Sequence, residues 1–480
     1  MKKNFMIILL WTAILYSQGI DTLWTKTYGG PDDDEGRAIA QTSNQGYMIV
    51  GWKTSISTGS KDIYLIKTDA DGDTLWTKTY GGTDAEYGVD FKQTGDGGWI
   101  ILGETFSYGA GFNDIYIIRT DSLGDTLWTK IYGGTYYDKA RAVTEAVDSD
   151  NGYLIVGATG SFGNGGNDDL YILRIDSLGD TLWTKTYGGL NWDWASSVQP
   201  TADSAYIIIG ATNSYGAGYF DVYLIKINAS GELLWQKTFG GTGDDRGEAV
   251  CQTSDQGYII TGMTRTFGAG GEDLYLIKTD SLGTIEWQKV YGGAQNERGY
   301  SLLETEDGGY IIAGYTMSFG AGEWDVYLLK TDEYGDTLWT QTYGGMNGDL
   351  ARSILKTQDG GYIIVGNTES FGAGAKDVFV LKTAPELEIL ERKNPCRETH
   401  LLQAEPDPFT KKLTIKIDAE SGFLEIYDAG GRLIKEFKNR TRKIIWDGTD
   451  RSGERAAAGV YFLRFSCDDS QILKKIIMLK

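Results

Sequence analysis

The sequence predicts an all-β protein: a seven-bladed β-propeller followed by a small β-sandwich. Three observations predict it. Trp24, Trp76, Trp128, Trp183, Trp235, Trp287 and Trp339 recur at intervals of 52, 52, 55, 52, 52 and 52 residues, each followed five and six residues later by Gly-Gly. Such a period marks a propeller or a solenoid. Each interval holds four short segments rich in Tyr, Ile, Val and Thr and bounded by Gly, Asp, Asn and Ser, the composition of strands. The repeat stops at Thr383, and different alternating segments follow a proline-marked stretch.

The chain opens with Met1-Lys2-Lys3, an apolar run from Phe5 to Leu15, and Ser17-Gln18-Gly19. A short positive region, an apolar stretch and small residues before the cut form an export signal. The run is shorter than the about 20 residues a membrane span needs. Residues 1–19 are read as a signal peptide, leaving a mature chain with no transmembrane segment. Cleavage removes Lys2 and Lys3 and takes the formal charge from −21 to −23.

Residues 20–383 are the propeller. In the first unit the four segments are 22–28, 37–42, 46–51 and 62–67. The third repeat is three residues longer, and the extra residues fall in the turn near Asp148–Asn151 and the loop Gly163–Asp168. Insertions confined to loops support the strand assignment. A solenoid is the alternative, but solenoids cap their ends with atypical repeats. Here the first and last units match the middle ones, as a closed ring requires. The repeats begin on a Trp segment and end on Asp-Val-Phe-Val-Leu-Lys. If the Trp strand is outermost in its blade, residues 21–28 complete the blade begun by 351–383 and close the ring.

The segments Gly-x-Thr-x-Ser-Phe-Gly-Ala-Gly, Asp-x-Tyr-Leu-Ile-Lys and Trp-x-Lys-Thr-Tyr-Gly-Gly resemble the bacterial seven-bladed SBBP repeat and, more distantly, kelch. The resemblance covers residues 21–383 and implies a fold, not an activity.

Columns within the repeat take structural readings first. The Trp column suits packing between blades. Asp62, Asp114, Asp169, Asp221, Asp273, Asp325 and Asp377 stand where a loop enters the fourth segment, and suit turn fixing through backbone N–H groups. Thr54, Thr105, Thr159, Thr212, Thr264, Thr316 and Thr368 share that loop network. The Gly-rich loops lack the Lys-Ser/Thr ending and the helix of a phosphate loop.

An acidic column, Asp34, Glu86, Asp138, Asp193, Asp245, Glu297 and Asp349, lies in the connection between blades. If the next strand is innermost, seven carboxylates ring one mouth of the channel. That is costly unless each is hydrogen-bonded or a cation is present. The column is read as structural, with a cation or cationic-ligand site as the functional alternative. Residues that break the repeat form a candidate ligand-binding set: Tyr136, Tyr137 and Asp138; Trp192, Asp193 and Trp194; Tyr219 and Phe220; and Trp324. Aromatics on one propeller face suit sugar or peptide stacking; loop packing is the alternative. No cofactor is expected. Calcium is the one cation with any pattern, in Asp69-Ala70-Asp71-Gly72-Asp73. The distal Glu and flanking helices of a calcium loop are absent there, and its counterparts read as hairpin turns.

Residues 384–401 are a linker, four of the six prolines falling between Pro385 and Pro408. Residues 401–480 hold 15 Lys+Arg and 12 Asp+Glu, so the acidity belongs to the propeller. Alternating segments at Leu413–Ile417, Phe423–Tyr427, Gly459–Arg464 and Leu473–Leu479 read as strands. Asp407-Pro408-Phe409, Ile426-Tyr427-Asp428, Gly431-Arg432-Leu433, Trp446-Asp447-Gly448-x-Asp450-x-x-Gly453, Gly459-Val460-Tyr461-Phe462 and Lys474-Lys475-Ile476 to Lys480 stand in one spaced series. The series resembles the C-terminal sorting domain of the type IX (Por) secretion system and the Ig-like domain of flagellar hook-capping proteins. The resemblance implies an Ig-like sandwich over 402–480. It also implies type IX-like secretion machinery as a partner, and removal of the module or its use as a surface anchor. Cys251 stands at an Ala-type repeat position and is read as a core thiol; Cys396 and Cys467 could pair after export.

The formal charge of −21 argues against nucleic acid and anionic membranes as partners. One histidine, His400, leaves little for a metal site or a nucleophile's base. The expectation is an exported extracellular or cell-surface propeller. It acts as a non-catalytic binding or scaffolding protein of adhesion type, toward an extracellular glycan or protein. The alternative is an extracellular polysaccharide or peptide hydrolase or lyase using carboxylates such as Asp138 and Asp193.

Overall fold

The computed structural model describes residues 19–55, 59–148, 151–164, 166–385, 402–405, 409–417, 422–428, 433–439, 443–467 and 470–479. Residues 1–18 of the expected signal peptide, residues 386–401 of the expected linker with Cys396 and His400, and Asp407, Pro408, Gly431, Arg432 and Lys480 lie outside them. The chain divides into two compact units, Met1–Glu386 and Leu387–Lys480.

The first unit is a seven-bladed propeller of four-stranded antiparallel sheets. Its first strands are β1 (Thr22–Tyr28), β2 (Asp34–Gln41), β3 (Tyr47–Thr54), β4 (Lys61–Thr68) and β5 (Thr74–Tyr80). Blade 1 runs β2-β3-β4-β5, innermost to outermost, and the next five blades repeat that order. Blade 7 takes its inner three strands from Asp349–Lys356, Tyr362–Thr368 and Asp377–Thr383, and its outermost strand is β1. The ring therefore closes by strand exchange, Tyr28 opposite Val378 and Thr25 opposite Leu381.

The core lies between the blades. The middle strands read as unbroken apolar runs because neighbouring sheets cover both of their faces. Val50 and Ile63 of blade 1, for example, share a cluster with Phe91, Trp99 and Ile101 of blade 2. The outer strands are half exposed, and their Trp lies on the hairpin turn of the next blade. A Cβ on Gly72 would come within 2.9 Å of the Trp24 ring, and one on Gly124 within 2.9 Å of Trp76. Gly72 also has φ +77°, a left-handed conformation that favours glycine. Blade 7 has no such turn, because the chain is open there. Buried Ile20 joins the cluster of Trp339 and Tyr343 in its place.

The innermost strand starts earlier than the sequence pattern suggests. It begins at Asp34 rather than Arg37, so the acidic column belongs to the strand and not to the connection before it. Asp-Glu-Gly reads as a turn, yet Asp34 N–H bonds Lys376 O of blade 7 at 2.7 Å and Asp138 N–H bonds Asn113 O of blade 2 at 2.9 Å. These inter-blade bonds extend the strand. Cys251 is half-buried against the Ile259, Leu276 and Leu302 cluster.

The second unit is a β-sandwich. One sheet holds Leu402–Glu405, Leu413–Ile417 and Lys443–Trp446; the other holds Leu433–Asn439, Gly422–Asp428, Gly459–Cys467 and Ser470–Met478. The strands at 402–405, 433–439 and 443–446 are too short or too charged to stand out in sequence. Phe409, Trp446 and Tyr461 pack together at its centre, tilted and edge-to-face, with ring centroids 5.4 and 5.2 Å apart. The Trp-Asp-Gly-x-Asp-x-x-Gly series is a turn. Asp450 accepts from Ser452 N at 2.9 Å and Glu454 N at 3.0 Å, and Trp446 Nε1 donates to Thr449 O at 2.8 Å.

Candidate functional site

Antiparallel order puts the inter-blade connections and the Gly-rich loops on one face, and the tight hairpin turns on the other. On the loop face every acidic-column residue is fully buried. Asp138 is representative. Its Oδ2 accepts from Gly134 N at 2.7 Å and Ser161 Oγ at 2.6 Å, and its Oδ1 accepts from Thr159 Oγ1. Glu297 accepts from Gly293 N at 2.8 Å, Thr316 Oγ1 at 2.8 Å and Ser318 N at 3.0 Å. Each carboxylate thus ties a connection to the loop beside it, and none opens on the channel mouth.

The second acidic column sits close by. Asp221 Oδ2 accepts from Ala217 N and Gly218 N, both at 2.9 Å. The first glycine of each Gly-Gly separates the two carboxylates. A Cβ on Gly133 would stand 1.8 Å from Asp114 Oδ1 and 2.9 Å from Asp138 Oδ2. Burial first, then the Asp138 charge, holds the Asp114 carboxyl above its ordinary range, against the backbone N–H groups of Gly111 and Ala110. Asp62, Asp169, Asp221 and Asp273 are raised in the same way. A glycosidase-like acid pair would be singular and reachable, whereas these are repeated and enclosed. The turn Asp69–Asp73 is also closed on itself, Asp69 Oδ1 accepting from Asp71 N at 3.0 Å and Asp73 N at 2.9 Å. Among the described residues no group of three or more His, Cys, Asp or Glu is placed to hold a metal ion.

The repeat-breaking aromatics fall into separate patches. Tyr136, Tyr137, Trp192 and Tyr219 are exposed, from 43% to 62%. Tyr137 stacks on Phe112 at 4.8 Å, an exposed ring that the sequence reading missed. Phe220 is buried at 6% and is not a ligand-facing ring. It packs on Trp194 at 4.8 Å, with the Arg246 guanidinium 5.0 Å from its centroid. Trp324 is half-buried against Tyr315 at 6.1 Å. Asp138 and Asp193, being fully buried, are likewise not ligand-facing.

The channel wall is where the blades differ most. In every innermost strand the register slips by one residue, after Gly36 in blade 1 and after Ala351 in blade 7. The slipped residue has no ladder partner. Around the ring it is Arg37, Val89, Arg141, Ser196, Glu248, Tyr300 and Arg352. Two positions before it stand Glu35, Tyr87, Lys139, Trp194, Arg246, Arg298 and Leu350. Glu35 Oε1 lies 2.8 Å from Arg37 Nε and 3.5 Å from Arg352 Nη2 of the adjoining blade. Arg352 lies over the Tyr300 ring at 4.5 Å. Arg298 reaches Glu272 at 2.9 Å and Glu248 at 3.4 Å; Arg141 reaches Glu104 at 2.9 Å. Burial, then the like charge of Arg352, holds the Arg37 guanidinium down at about 10, with Arg141 adding to Arg352 and Glu35 opposing them. Burial pushes the Glu248 carboxyl up, against Arg298, Arg352, Arg141 and Arg246. Arg37 and Arg352 meet through Glu35 across the boundary between blades 1 and 7.

Comparison with known proteins gives a family match in the C-terminal unit: residues 400–470 match the FlgD Ig-like domain. The regulatory protein FlaEY of Caulobacter vibrioides is 24% identical over 251 residues, which are 46% of this chain and 26% of that protein. The chain thus spans about a quarter of the length of that curated relative. Among solved structures, one similar chain is PorZ, an essential bacterial surface component of the type-IX secretion system of Porphyromonas gingivalis. Its TM-score is 0.44 at 13% identity, covering 94% of this chain and 60% of that chain. Another is the Pan2 WD40 domain of Neurospora crassa, with a TM-score of 0.46 at 10% identity, covering 74% and 89%.

Proposed function

We propose that the chain is an exported, extracellular or cell-surface propeller that binds a glycan or protein on its loop face and does no catalysis. The observation that carries this reading is the division of labour on that face. Its buried carboxylates are spent, blade after blade, on equivalent loop hydrogen bonds. Its exposed groups include aromatic rings, Phe112, Tyr136, Tyr137, Trp192 and Tyr219. Such rings supply contact area without acid–base chemistry. The repeat is of the SBBP-like type, and residues 402–480 act as a type IX-like sorting module. The match of residues 400–470 to an FlgD Ig-like domain supports the sandwich half of that assignment.

A glycan array and a peptide library screened with the full chain, run beside hydrolase and lyase assays, test the function. Binding weakened about tenfold by Trp192→Ala or Tyr137→Ala, without turnover, is expected, a loss typical of truncated interface hot spots. Turnover abolished by Asp138→Asn and Asp193→Asn would establish the hydrolase or lyase instead. Mass spectrometry of culture medium tests the sorting. Peptides from 20–383 without those from 402–480 are expected, whereas a full-length chain confined to the periplasm would overturn it.

A further inference from the structure

The outer strands carry a column that breaks at the seam of the ring. Two residues after each repeat Trp stand Lys26, Lys78, Lys130, Lys185, Lys237 and Lys289, and then Gln341. The lysines reach for an acid in the hairpin turn of the next blade. Lys26 meets Asp73, Lys78 meets Asp125 and Lys185 meets Glu232, each at 2.7 Å. Lys130 meets Asp180 at 2.9 Å and Lys289 meets Asp336 at 2.8 Å. Lys237 has Thr284 at the corresponding place.

The open end of the chain offers blade 6 the same acid. Tyr343 donates its hydroxyl to Ile20 O at 3.3 Å. Tyr28 and Tyr80 donate in the same way to the turn glycines, at Gly72 O and Gly124 O, both at 2.6 Å. Ile20 therefore takes the place of the turn glycine, and Asp21 the place of Asp73, Asp125 and Asp336. Both residues are anchored: the Ile20 side chain is buried against Trp339, and Asp21 O accepts from Ala384 N at 2.7 Å. The acid is kept at the seam, and the lysine is not.

An acceptor stands there instead. Gln341 Oε1 is buried and has no hydrogen-bond partner among the described residues. A buried amide oxygen without a donor is costly. It lies against the backbone that enters Ile20, since a Cβ on Gly19 would stand 2.2 Å from it. The cut expected after Gly19 falls at this point. Hydrolysis of the Gly19–Ile20 peptide bond by a leader peptidase consumes one water and leaves a carboxylate on Gly19 and an ammonium on Ile20. An ammonium brings three donors and one positive charge.

We propose that the seam between blades 6 and 7 is a binding site for the chain's own new N-terminus, in which Gln341 Oε1 and the Asp21 carboxylate hold the Ile20 ammonium where other blades place a lysine ammonium. A lysine at 341 would set two cations against each other, and glutamine avoids that. Removal of the leader thus completes the ring. The site rests on the exported reading only for the cut itself.

The test compares two chains, residues 20–480 and residues 17–480, each released from a cleavable fusion, unaltered or carrying Gln341→Lys. The unaltered chain beginning at Ile20 should melt about 3 °C above the longer one, as a gained charged hydrogen bond implies. Gln341→Lys should lower the Tm of the chain beginning at Ile20. It should leave the longer chain unchanged or raise it by about 1 °C, through an exposed pair with Asp21. Equal melting of the two unaltered chains, or a Gln341→Lys shift of the same sign and size in both, overturns the proposal. Acetylation of the unaltered 20–480 chain with N-hydroxysuccinimidyl acetate near neutral pH serves even where the variant does not fold. The Ile20 amine should react at least tenfold more slowly in the folded chain than in urea, and equal rates overturn the site. N-terminal sequencing of the exported protein should begin at Ile20. A chain that keeps its leader overturns the exported reading along with the site, whereas equal melting of the purified chains overturns the site alone.

Discussion

Closure of the ring rests on residues 20–28, and their removal is the sharpest test of how the propeller is held. Tyr28 is buried to 9% and donates its hydroxyl to Gly72 O of blade 1 at 2.6 Å. Ile20 is buried to 6% against Trp339. Trp24 is half-buried, 5.9 Å from Tyr47. Burying a large apolar side chain contributes about 1.5–3 kcal/mol, so these three together contribute about 5 kcal/mol. The strand's ladder bonds become exposed rather than buried on deletion and add little, because water replaces them. For a unit of this size the unfolding entropy makes about 5 kcal/mol equal to a Tm fall of about 7 °C. Deleting 20–28 and following far-ultraviolet circular dichroism on heating measures it. A synthetic peptide of residues 20–28 should restore most of the loss. A Tm within about 2 °C of the parent would mean that the seam carries no more load than a surface loop, and the strand-exchange account would fail.

Other consequences are local. Lys330 is fully buried, with Nζ 2.8 Å from both oxygens of half-exposed Asp307 and 2.6 Å from Thr305 Oγ1. Asp307→Ala strands a buried cation and should cost about 3 kcal/mol in denaturant unfolding. Lys330→Met leaves a carboxylate that water can reach and should cost about 1 kcal/mol. Gly133→Ala drives a methyl into Asp114 Oδ1 and should cost about 2–3 kcal/mol. Gly95→Ala, with nothing within 4 Å of its added Cβ, should stay within about 0.5 kcal/mol. Acid should act in two opposed stages. Asp62, Asp114, Asp169, Asp221 and Asp273 are raised above their ordinary 3.8, so the folded state takes up protons first and stability rises as pH falls toward 3.8. Asp96, through Thr94, Gly98 and Arg119, and Asp255, through Lys278, Thr253 and Gly257 against its own burial, are lowered to about 2. Their stabilisation is lost as pH falls below 3.8. A Tm profile should therefore peak on the mildly acidic side; a monotonic fall from pH 7 would contradict the buried acid pairs.

Much of the fold is legible because its signals are local and repeated. The Trp column, the Gly-Gly pairs and the phase of the first segment each report a contact that recurs at every blade. Trp24 on Gly72 and Trp76 on Gly124 are the same contact. The start of the innermost strand was not legible. Asp34, Glu35 and Gly36 have turn composition, and only inter-blade bonds such as Asp34 N–H to Lys376 O make them a strand. Phe220 looked exposed for a similar reason. Its companion Tyr219 is indeed exposed at 62%, while Phe220 is folded under Trp194 and Arg246, a burial that depends on the neighbouring blade.

The lumen was hidden for a different physical reason. A column that stays constant through seven repeats is held by packing that every blade shares. Gly36, Gly88, Ala140 and Ala195 are small because the preceding blade leaves no room; a Cβ on Gly36 would come within 2.7 Å of Val365 and 2.9 Å of Val378. The next residue along is free of that constraint. It sits at a bulge, has no ladder partner, and runs Arg, Val, Arg, Ser, Glu, Tyr, Arg around the ring. Where packing does not fix a residue, charge and shape at that place can be set for a ligand without cost to the blade. Constant columns therefore report how the ring is built. The columns to search for what it binds are those that lose the repeat at a position the fold keeps, and in this chain those positions line the channel.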